Sequence, residues 1–200
     1  MRAPIAGVLL AGALLVVALA GCGQTISPTA SPSEPPATMQ PSEAACGAGE
    51  ASPPAVVDRA LLEILPAEVD GIPVAPSPDG EAAGQSDPCL AQIGDAFASA
   101  FAADPENFVF VAVVSLRPGA LGDVVFRDWR DSFDEGACSQ ADGVAGHAET
   151  EIGGRTVYIG TCVGDLRTYH VWLEEQEVLV SASAVGERRL GERLVENLRP

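Results

Sequence analysis

Three regimes of hydrophobic patterning follow one another along the chain. Positions 5–20 are all apolar or glycine, positions 23–54 carry almost no large apolar side chain, and from position 55 apolar residues return with helical or strand periodicity. In that last regime Val57, Leu61, Ile64 and Leu65 recur at helical spacing until Pro66, which predicts a short first helix. Residues 71–74 predict an edge strand, since Pro73 cannot donate to a full ladder, and Pro76, Pro78 and Gly80 predict a loop after it. Asp87 as N-cap and Pro88 at the first helical position open a better-marked helix. Leu90, Ile93, Phe97 and Phe101 would line one face of it until Asp104 and Pro105.

The run FVFVAVVSL, residues 108–116, predicts a central strand covered on both faces. Leu121, Val125, Trp129 and Phe133 fall every fourth residue, predicting an amphipathic helix over 121–135 closed by Gly136, with Asp123, Asp128, Asp131 and Asp134 mostly outside. Residues 150–152 and 156–162 flank Gly153 and Gly154 as a hairpin, and residues 168–173 and 178–184 flank 174–177 as a second one. Residues 187–198 predict a closing helix with Leu190, Leu194 and Leu198 inward. The expected fold class is α+β, an antiparallel sheet of about 4–6 strands with helices packed mainly on one face. That mix of elements is similar to a PsbP-like sandwich.

The first two regimes imply export and tethering. A single early arginine, the apolar run and the tetrad Leu19, Ala20, Gly21, Cys22 resemble the lipobox signal peptides of bacterial lipoproteins. The resemblance covers only this segment, and the apolar run falls short of the roughly 20 residues needed to cross a bilayer core. It implies removal of residues 1–21, acylation of Cys22 by diacylglyceryl and palmitate-type chains, and residence at the outer face of the cytoplasmic membrane. Two or three acyl chains suffice for stable anchoring. Residues 22–54, rich in Ser, Thr, Pro, Ala and Glu, cannot bury enough surface to fold and predict a semi-stiff disordered tether. Residues 55–200 are left as one globular domain.

Charge narrows the partners. Acidic residues number 28 against 11 basic ones, all arginine, for a net charge of −17, and cleavage before Cys22 would remove Arg2 but no acid. Nucleic acid is thereby excluded as an expected partner, because a phosphate backbone must be met by clustered cations. The absence of lysine from the sequence excludes Schiff-base chemistry and a P-loop.

Besides Cys22 the chain has Cys46, Cys89, Cys138 and Cys162, with no Cys-x-x-Cys pair. In an oxidising compartment four such cysteines predict two staples, with Cys46–Cys89 and Cys138–Cys162 the favoured pairing because each joins sequence neighbours. Closing the shorter loop would stabilise the fold by about 3.5 kcal/mol on the chain-entropy model. Metal sites are not expected, since zinc wants close-spaced thiolates and neither acid cluster has Ca²⁺-loop spacing, whether Asp131, Asp134, Glu135 or Glu174, Glu175, Glu177. No cofactor is expected either.

No nucleophile elbow, zincin motif or dinucleotide fingerprint occurs. Of the two histidines, His147 lies in a glycine-rich stretch read as a loop. His170 alternates onto the same strand face as Trp172, a candidate ligand surface, while Leu173 marks the side expected to be core. The expectation is a non-catalytic, membrane-tethered envelope module that binds a protein, glycan or small ligand. The rival reading is a glycan-acting hydrolase built on Asp and Glu carboxylates, for which convergence in space, invisible in sequence, would be needed.

Overall fold

The computed structural model describes residues 52–199. The expected signal peptide, Cys22, nearly all of the tether and Cys46 lie outside them. In chain order the described residues form β1 (Val56–Val57), a 3₁₀ turn (Arg59–Ile64), β2 (Glu68–Val69), β3 (Ile72–Pro73), β4 (Ala75–Pro76), α1 (Pro78–Gly84) and α2 (Pro88–Ile93). Then come β5 (Gly94–Ala103), β6 (Phe108–Leu116), α3 (Asp123–Cys138), β7 (Val144–Ile152), β8 (Arg155–Cys162), β9 (Arg167–Leu173), β10 (Val178–Val185) and α4 (Leu190–Glu196). The fold is α+β, built on an 8-stranded sheet in the order β1-β5-β6-β10-β9-β8-β7, with β4 also pairing β5. β2 and β3 form a separate two-stranded sheet.

The sheet is larger than the 4–6 strands expected, and it is mixed: β1 runs parallel to β5 while the other pairs are antiparallel. The main cause is the segment 94–103. The sequence reading continued α2 through Phe97 and Phe101, but α2 stops at Ile93 and the chain pairs with β6 from Gly94 to Ala103. A spacing of four fits strand alternation as well as a helical face, and the long valine-rich neighbour offers this segment a full ladder. Gly94 sits where β5 crosses close to β6, since a Cβ there would come 2.7 Å from Val114 Cγ1. The expected first helix is likewise only β1 and the 3₁₀ turn, whereas the expected loop at Pro78 is helical because Ser77 accepts from Gly80 N–H as its cap.

Helices cover both faces rather than mainly one. On the first face α4 brings Leu190, Leu194 and Val195 onto Val111, Val113, Val180 and Ala182, joined by Leu65 and Val69. On the second, Leu90 and Ile93 of α2 and Phe126 of α3 pack with Phe97, Val114 and Leu179. β6 is the central strand foreseen, with Val109, Val111 and Val113 fully buried. The hairpin turn at Gly153 and Gly154 has positive φ at both positions, 58° and 74°, the backbone that a two-residue turn between right-twisted strands requires.

Candidate functional site

Cross-strand register decides what α3 meets on the second face. Tyr158, His170 and Ser181 stand opposite one another across β8, β9 and β10, and Gly160 stands opposite Thr168 in the adjacent row. α3 descends on these rows with Asp134, which is fully buried. His170 Nε2 lies 2.8 Å from Asp134 Oδ1, and the Thr168 hydroxyl donates to the same oxygen. Gly160 must lack a side chain here, since a Cβ would come 2.3 Å from Thr168 Oγ1 and 2.5 Å from Asp134 Oδ2. His147, on β7 rather than in a loop, brings Nε2 to 3.0 Å from Oδ2. That is ion-pair distance without hydrogen-bonding alignment, so Oδ2 is buried with no hydrogen bond of its own.

Proton counting closes the network. Ser181 Oγ accepts from Trp129 Nε1, at 3.1 Å, and lies 3.0 Å from His170 Nδ1. With Nε2–H donating to Asp134, Nδ1 must accept the Ser181 proton, and every donor then has an acceptor. A doubly protonated His170 would leave Ser181 without an acceptor within this network. Burial is the largest influence on His170 and holds its imidazole below the ordinary value although Asp134 pulls the other way. For Asp134 burial by itself pushes upward, but the hydrogen bonds from His170 and Thr168 help carry the carboxyl below its usual range.

The series Asp134, His170, Ser181 has the residue types of a hydrolase triad but with the ring nitrogens exchanged, Nε2 meeting the carboxylate and Nδ1 the serine, and chemistry by such a triad also requires the serine to reach a substrate. Ser181 is fully buried, its proton is committed to His170 and a lone pair to Trp129. In this conformation the network positions α3 and leaves no room for a reacting group.

An opening does lie beside it. Between α3 and the α1–α2 segment, above β5, β6 and β10, two adjoining pockets of about 340 and 210 Å³ share Asp87, Phe110, Trp129 and Phe133. The floor is kept low by Ser99, Ala112 and Ser183, and Gly80 and Gly84 line one wall. Two larger depressions, about 490 and 670 Å³, are lined mainly by charged and polar residues. Two of the three arginines that line them are already engaged: Arg188 pairs with Asp70 and Asp104, and Arg189 pairs with Glu192.

The sequence-derived candidates fall as follows. His170 and Trp172 do share a face, but α3 covers it, so His170 is fully buried rather than displayed as a ligand surface, and Trp172 packs beside Phe126 with ring centroids 5.8 Å apart. Asp134 corrects the reading of its helix: it points inward, while Val125, placed on the inner stripe, is 40% exposed. The signal was available in Cys138, one turn further on, because a stapled cysteine marks the inner face of a helix. Cys138 and Cys162 are disulfide-bonded with Cα atoms 5.2 Å apart, tying the end of α3 to β8. Cys89 is disulfide-bonded as well, while its expected partner Cys46 and the lipidation candidate Cys22 lie outside the described residues. The acid clusters do not converge, and among the described residues no group of three or more His, Cys, Asp or Glu is placed to hold a metal ion. Compared with protein-family models, curated proteins and solved structures, the chain matches none at a significant level.

Proposed function

We propose that this protein is a lipid-anchored envelope module that works by binding, without covalent chemistry, a small ligand or the apolar moiety of a larger one in the cleft between α3 and α1–α2. The lipobox supports the location, with Cys22 as the anchor at the outer face of the cytoplasmic membrane. The single observation that carries the binding reading is the lining of the cleft. A chain with only 5% aromatic residues gathers Phe97, Phe110, Trp129 and Phe133 around one opening whose floor is serine and alanine. Large apolar walls over a small-residue floor, with few polar groups, are the usual make-up of a small-molecule pocket.

The test is binding of N-phenyl-1-naphthylamine, a neutral apolar fluorophore, to the full chain in lipid nanodiscs with empty discs as blank. Saturable enhancement is expected, with Ala112→Phe reducing affinity at least tenfold by filling the floor while leaving the far-UV spectrum intact. Enhancement no greater than that of empty discs, or equal in the filled variant, overturns the reading. In parallel, Cys22→Ala should abolish incorporation of a palmitate analogue, and label retained on that variant would remove the anchor from the proposal.

A further inference from the structure

Resting on the cleft as the binding site, we infer that its ligand is an organic cation, a small ammonium ion carrying a flat or branched apolar body. Among the described residues lining the two pockets Asp87 is the sole charged one, and it lines both. One of its oxygens is occupied: Oδ1 caps α2 by accepting from Cys89 N–H at 2.8 Å and Leu90 N–H at 3.3 Å. No ion pair or hydrogen bond engages Oδ2 among the described residues. The backbone donors at the start of α2 are thus met by one oxygen, and the other oxygen of a residue that lines both pockets has no partner among the described residues.

The remaining lining makes the same selection. Trp129, Phe133 and Phe110 present aromatic rings around the shared part of the two pockets, and ring faces attract cations and repel anions. Among the described residues no arginine or histidine lines either pocket, so none of them would neutralise a carboxylate or phosphate ligand there. An anionic ligand would meet Asp87 and the field of a chain carrying −17, whereas a cation is drawn in by both. The two volumes together fall within the ~300–1,000 Å³ of small-molecule pockets, enough for a bicyclic or branched body rather than a long acyl chain.

Three near-isosteric probes decide the matter: 1-naphthylmethylamine, 1-naphthylmethanol and 1-naphthoate, titrated calorimetrically into the full chain in zwitterionic nanodiscs with empty discs subtracted. The ammonium probe should bind at least tenfold more tightly than the alcohol, and the carboxylate weakest. Asp87→Asn keeps a competent helix cap and should abolish the preference, bringing the ammonium probe to within about threefold of the alcohol. Equal binding of ammonium and alcohol to the natural protein, or an unchanged preference in Asp87→Asn, overturns the charge assignment while leaving the cleft reading in place. Binding of none of the three overturns both.

Discussion

On one face of the sheet α4 sets Leu190, Leu194 and Val195 among valines and alanines, with every one of those side chains buried and none of them polar. On the other face α3 sets Asp134 onto Thr168 and His170, with Ser181 and Trp129 completing a chain of hydrogen bonds. Apolar packing is non-directional and rewards burial, so α4 gains from any fit that excludes water. Hydrogen bonds to a buried carboxylate tolerate little rotation or sliding, and leaving one unmade costs far more than an average bond contributes. α3 is therefore held in one rotational setting. That setting holds Trp129 and Phe133 as one wall of the cleft, so the polar network positions the wall of the proposed binding site.

The contrast breaks most visibly under truncation of each helix. Asp134→Ala would leave the His170 and Thr168 donors buried without an acceptor and should cost about 3–5 kcal/mol, whereas Leu194→Ala should cost about 3 kcal/mol by opening an apolar cavity. Urea midpoints measure both. Because the two residues lie on opposite faces, the double variant should be additive within about 0.5 kcal/mol. An Asp134→Ala cost below 1 kcal/mol would remove the network from its positioning role.

A smaller effect, about 1–3 kcal/mol, is expected from Gly160→Ala, where one methyl group must displace Thr168 or the Asp134 carboxylate. The same change should weaken binding of the naphthyl probes by shifting α3, which Leu194→Ala should not do. Equal loss of binding in the two variants would show that the cleft reports on global stability alone.

The smallest effect is the part of the pH dependence that His170 contributes on the polar face. His170 has its folded value below the ordinary one near 6.5, so the unfolded chain takes up the proton first. Its contribution is complete above about pH 6.5 and is lost as pH falls below it; the depressed Asp134 adds a second loss only below about pH 4. The advantage of the natural protein over His170→Gln should shrink on acidification by at most about 1.4 kcal/mol per pH unit. Nitrogen NMR at pH 6 should show His170 as the neutral Nε2–H tautomer, and a doubly protonated ring would contradict the network.

What the sequence determined by itself was local. The continuous apolar run of β6, the paired glycines of the β7–β8 hairpin and the leucine stripe of α4 are each specified within a few residues, where local patterning and turn chemistry act alone. The fate of Phe97 and Phe101 was left to tertiary structure, because period 2 and period 3.6 both place residues four apart on one side and only the ladder with β6 chose between them. The network is beyond local reading for a stronger reason. His147, His170 and Ser181 lie on three different strands and meet Asp134 or each other only after the register of the sheet and the docking of α3 are both set. A charged residue on an amphipathic helix reads as solvent-facing until the sheet supplies donors beneath it, and the free energy that reverses that reading exists only in the assembled fold.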